Sequence, residues 1–155
     1  MGRTGIRICL AAVLLLPIAA GAHAQATPPV AQACAKSDFE AVVDEAAAAL
    51  RDLNMKNKPA FQEKLRQLKE KRGWSHDEFL KEATPYVRDA KIAVFDQDSE
   101  RLLNDIASLG QEGADATTPD CALLLELRAR MKVLVDTQSA KWTYMFEKLD
   151  VALAQ

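Results

Sequence analysis

Apolar residues recur at spacings of three and four along most of this chain, and the polar breaks between those runs divide it into helices. Ser37-Asp38-Phe39-Glu40 has the form of a capping box, in which the serine caps a backbone N–H and the glutamate reaches back. Phe39, Val42, Val43, Ala46, Leu50 and Leu53 then make the apolar face of a first helix, and Ala46 to Ala49 keep it slim enough for a close neighbour. A second helix is expected to start near Lys58-Pro59, with proline in its first turn, and to end at Gly73. Its stripe is Phe61, Leu65 and Leu68.

The stretch "RGWSHDEF" reads as a tight corner. Ser75-His76-Asp77-Glu78 repeats the capping box, and Trp74 with Phe79 has the spacing of a hydrophobic staple. That accounts for Trp74 and His76 without a functional site. A third helix should run to about Leu109 and stop at Gly110, kinked at Pro85. Leu80, Ala83, Val87, Ala90 and Val94 form its first stripe; Leu102, Ile106 and Leu109 form the second. "QEGADATTPD" reads as a polar loop. A fourth helix begins near Thr118-Pro119, placing Cys121 in its first turn. Leu124, Leu127, Met131, Leu134, Trp142, Met145, Leu149 and Ala152 trace its face, with Gln138 as a polar interruption. A polar residue in an apolar seam reads first as a register device, and alternatively as a ligand contact. No stretch shows sustained alternation, so strands are not expected. The fold class predicted is all-α, an antiparallel bundle of about four helices.

The N-terminus changes the picture. Arg3 and Arg7 precede an apolar run from Ile8 to Ala20, and Ala22-His23-Ala24 matches a cleavage box. Residues 1–24 are read as a cleaved secretory signal, 25–36 as an extended lead-in, and 37–155 as one helical domain. The apolar run is short for a membrane span, and no transmembrane segment is expected after cleavage. Cys9 lies inside that run, a poor position for lipid modification. Two cysteines then remain, Cys34 and Cys121, and an even count in an oxidising compartment points to a disulfide stapling the bundle. The predicted location is periplasmic or secreted.

Charge and motifs exclude more than they identify. Cleavage leaves 18 basic and 22 acidic residues, which disfavours a general nucleic-acid binder. Asp96, Asp98 and Glu100 resemble the opening of a calcium loop, but Arg101 and Ala107 stand where glycine and a bidentate glutamate are needed. His76 is the one histidine left after cleavage, too few for a zinc site, and there is no C-x-x-C-H for haem. No catalytic, metal or cofactor residue is assigned, and an enzyme is not expected. The size, leader and helical content resemble those of small periplasmic helical chaperones in general terms. The L-T-x-x-Q repeat of those proteins is absent, and nothing is carried over from them.

One segment stands out: "KNKPAFQEKLRQLKEKR", residues 56–72, has seven basic residues and two acidic ones in an otherwise acidic chain. Lys64 and Lys71 flank one side of its apolar stripe, with Arg66 and Lys69 on the other. Phe61, Lys64, Arg66, Lys69 and Lys71 therefore form the candidate interaction face, suited to an acidic protein or an anionic membrane surface. The alternative is an internal role, with lysine stems covering the core edge and their charges facing the acidic stretch Tyr86–Asp120. The expected function is an exported, non-enzymatic protein binding another macromolecule or an envelope surface. The alternatives are a chaperone-like protein shielding apolar segments, and a small-ligand carrier or carboxylate enzyme. An open apolar groove would favour the first alternative. A closed cavity at Gln138 and Met131 would favour a carrier, and carboxylates facing across a cleft an enzyme.

Overall fold

A computed structural model of the protein describes residues 34–155; the predicted signal and most of the lead-in lie outside the described residues. The described residues are helical, without strands: α1 Lys36–Arg72, α2 His76–Glu82, α3 Thr84–Val87, α4 Ala90–Asp115 and α5 Cys121–Ala154. The three long helices form the bundle. α4 runs antiparallel to α1 and α5, which run side by side from the Cys34–Cys121 disulfide, where the Cα atoms are 5.6 Å apart. That bond closes a loop with a sequence separation of 87, which the chain-entropy model values at about 4–5 kcal/mol.

α5 is the central element. α1 and α4 both pack along it, and they make few contacts with each other. All eight apolar positions read on this helix face the interior, seven of them buried and Trp142 half-buried. Two clusters result. At the disulfide end, Val42 and Ala46 meet Leu124, Leu127 and Met131. At the far end, Phe61, Leu68 and Ile92 enclose Met145, Leu149 and Ala152. Leu68 and Leu149 are completely buried, each contributing roughly 1.5–3 kcal/mol by its removal from water. Between the clusters, buried Leu102 and Leu134 share the seam with a polar pair. Gln138 donates to Ser99 at 2.6 Å, and Ser99 in turn donates to the Phe95 carbonyl at 2.7 Å. Among the described residues no buried side-chain nitrogen or oxygen lacks a hydrogen-bond partner.

Several boundaries differ from the sequence expectation, each for a physical reason. α1 begins at Lys36 rather than after Ser37, because Asp38 accepts the Ala35 N–H at 2.7 Å and starts the helix two residues earlier. The two expected helices flanking Lys58-Pro59 are one, with Pro59 inside it. Pro59 and Met55, whose carbonyl loses its helical donor, are both exposed, so water can take that donor's place. Gly73 does end α1, with φ 66°. Ser75 caps α2 with Glu78 as expected, the Ser75 N–H holding the Glu78 carboxyl below its ordinary pKa. Trp74 packs on the far-end cluster, whereas the Phe79 ring lies under Lys69 at 5.6 Å. Pro85 does more than kink the third helix. The backbone restarts there as the four-residue α3, Arg88 is extended, and Asp89 opens α4. α4 then continues past Gly110 to Asp115, so the expected polar loop loses its first half to helix.

Candidate functional site

The basic segment is largely turned to the protein's own use. Phe61 is 4% exposed and meets Trp142 and Phe146 edge-on, at centroid distances of 5.8 and 5.5 Å. It belongs to the core, not to a surface. Lys64 pairs with Asp150 of α5. Lys71 donates to the Leu153 carbonyl and Arg72 to that of Ala152, at 3.2 Å. These two cations satisfy C-terminal carbonyls that α5 cannot satisfy itself, and they sit at the negative end of its dipole. Arg66 is held between Glu63 and Glu70, which raises its pKa further, and Lys69 covers Phe79. The acidic partners are thus on α5 and within α1, not in the stretch Tyr86–Asp120. Lys56 and Lys58 remain exposed.

A second charged cluster fixes the corner at the start of α4. Asp89 accepts from Lys148, from the Ile92 N–H at 2.7 Å and from the Tyr144 hydroxyl at 2.9 Å. Lys148 above all, then the Ile92 N–H, holds the Asp89 carboxyl well below the usual carboxylate range, while Asp89 raises the Tyr144 pKa. Lys148 also donates to the Pro85 carbonyl, and Lys91 stands 4.2 Å above the Tyr144 ring. This ties α3, α4 and α5 together. Of the acids that resemble a calcium loop, Asp96 pairs with Lys141 and Asp98 with Arg101.

One concave feature of the surface lies at the other end. Between α1 and α4, over Leu127 of α5 and near the disulfide, lies an open groove of about 610 Å³. Leu127 of α5 lies at its floor, Phe39 and Val43 come from α1, and Gly110, Gly113 and Ala114 come from α4. Lys36, Glu40 and Asp44 supply its charges. The α4 wall is low because two of its residues have no side chain. At Gly113 this absence is required: a Cβ there would lie 2.9 Å from the Phe39 ring. At Gly110 it is not, since a Cβ would meet nothing within 4 Å. Val43 is 40% exposed.

Other openings are present among the described residues. A groove of about 400 Å³ between α1 and α5 is lined by Val42, Ala46, Ala49, Met131 and Val135, and charged residues line it too. Met131 thus borders an open groove, and Gln138 bonds to Ser99 instead of lining a closed cavity. Glu40 and Asp44 lie one turn apart on the same helix, so they do not face each other as an acid/base pair would. Among the described residues no group of three or more His, Cys, Asp or Glu could hold a metal ion, and no helix is long and apolar enough to cross a membrane. Sequence reading misses Gly110 and Gly113 as site residues, taking the first for a helix stop and the second for loop. No family model matches the sequence, and neither does any curated protein or solved structure.

Proposed function

We propose that this chain is an exported, non-enzymatic helical protein of the chaperone-like kind, which shields an apolar segment of another polypeptide in the groove between α1 and α4. The observation that carries the reading is the groove: open, floored by Leu127, walled by Phe39 and Val43, with glycines on its far side. A pocket of this kind suits one face of an amphipathic helix, whose side chains at positions i, i+3 and i+4 would enter beside Gly110 and Ala114. Export is supported by the leader pattern of residues 1–24 and by the Cys34–Cys121 bond, which persists in oxidising compartments. The basic segment 56–72 is reassigned, since its cations mostly cap and brace the protein itself.

Gly110→Leu provides the test, because it fills the groove from a position where a side chain has room. A fluorescently labelled amphipathic peptide with a leucine face should bind the wild type saturably. The variant should bind it at least about tenfold more weakly, a loss of about 1.4 kcal/mol, with thermal unfolding no lower than the wild type's. Undiminished binding by a folded variant would overturn the assignment.

A further inference from the structure

The charges around the groove deepen that reading, and the selectivity inferred from them rests on it. Residues 34–45 contain four acids and one lysine; residues 102–127 contain five acids and no base. These two stretches meet at the disulfide end. Arg130 offsets Asp105 and Glu126, at 3.7 and 2.8 Å, Asp120 caps α5, and Asp38 and Asp115 accept hydrogen bonds from nearby residues. Glu40, Asp44, Glu45 and Glu112 remain, exposed and without an ionic partner among the described residues. The first two line the groove itself. Its one cation, Lys36, is turned toward the Ala114 carbonyl at 3.5 Å. Arg128, Arg130 and Lys132 of α5 also lie in this half, but most basic residues are at the far end on α1 and the start of α4. The bundle is therefore charged lengthwise, with its apolar groove at the negative pole.

We infer that the groove selects a cationic amphipathic segment, one whose apolar face is flanked by lysine or arginine. Leu127, Phe39 and Val43 would receive the apolar face. Glu40 and Asp44, stacked along the α1 wall, would meet basic residues spaced one helical turn apart. An anionic segment with the same apolar face would be repelled by the same carboxylates, so the charge sets selectivity as well as encounter rate.

Three peptides sharing one leucine face separate the two claims: one flanked by lysines, one by glutamines, one by glutamates. The expected order of affinity is lysine, glutamine, glutamate, with all three weakened by Gly110→Leu. The preference should shrink as salt rises from about 0.01 M to about 1 M, where the screening length falls from about 30 to about 3 Å. Glu40→Gln with Asp44→Asn should weaken the lysine peptide alone. Equal binding of all three, still lost in Gly110→Leu, would overturn the charge inference and leave the groove assignment standing. Lysine-peptide binding that survives Gly110→Leu would overturn both, marking a diffuse charge effect. Should the double variant fail to fold, the order of the three peptides on the wild type decides alone.

Discussion

Gly110 and Gly113 occupy the same helix three residues apart, so replacing each with alanine is a controlled comparison. Both lie within α4, where alanine is favoured over glycine by about 0.8–1 kcal/mol. At Gly110 a Cβ meets open space, so Gly110→Ala should gain most of that, about 0.5–1 kcal/mol after allowance for the nearby helix end. At Gly113 the Cβ would lie 2.9 and 3.1 Å from Phe39 ring atoms and 3.5 Å from Leu123. The ring packs against the disulfide-end cluster, so moving it disturbs the α1 contacts beneath. Overpacking of this kind costs about 1–3 kcal/mol, enough to cancel or reverse the helix gain. The two variants should differ by about 1–3 kcal/mol, with Gly110→Ala above the wild type and Gly113→Ala at or below it. Urea denaturation with the disulfide intact measures this, provided the slope is unchanged. Equal stabilisation of both would mean that α4 does not approach Phe39 as described. A destabilised Gly110→Ala would mean that the groove is filled in the folded protein.

Other contacts set further outcomes. Pro59→Ala should stabilise the protein by roughly 2 kcal/mol, the helix penalty of proline being about 3 kcal/mol and its restriction of the unfolded chain returning part of it; a loss of stability would argue that α1 is broken at that point. Asp89→Asn should lower thermal stability at neutral pH and flatten the acid limb of the stability curve. Folding holds the Asp89 carboxyl well below its ordinary value, so the stabilisation is present above an unfolded pKa of about 3.9 and lost as pH falls below it; parallel wild-type and variant curves would contradict this. Lys64→Gln with Lys71→Gln should reduce the cooperative unfolding temperature by freeing Asp150 and the Leu153 carbonyl, and unchanged stability would restore both lysines to a binding face.

The helices differ in how plainly the sequence announces them. α5 is legible along its whole apolar face because the 3–4 period from Leu124 to Ala152 is broken once, at Gln138, and that residue keeps the helical phase by bonding to Ser99. The join inside α1 is hidden because Pro59 outweighs a subtler signal: Leu50, Leu53, Asn57, Phe61, Leu65 and Leu68 stay in one helical phase across it. Gly110 misleads for the opposite reason, since an unfavourable residue is tolerated where its neighbour Gly113 admits Phe39. The basic pattern of residues 56–72 is visible, but its chief partners are not. Backbone carbonyls at the end of α5 have no residue identity to read, and only the parallel placement of α1 and α5 brings Lys71 and Arg72 to them. The groove is illegible for the same reason. It is lined by residues of two helices that stand far apart along the chain.

The most direct test of the groove assignment is a backbone amide NMR titration of the isotopically labelled protein with the lysine-flanked amphipathic peptide. Saturable shifts are predicted, centred on Phe39, Val43, Gly110, Gly113 and Ala114, with Lys64 to Arg72 left in place. Shifts centred on residues 56–72, or none anywhere at saturating peptide, would contradict the assignment.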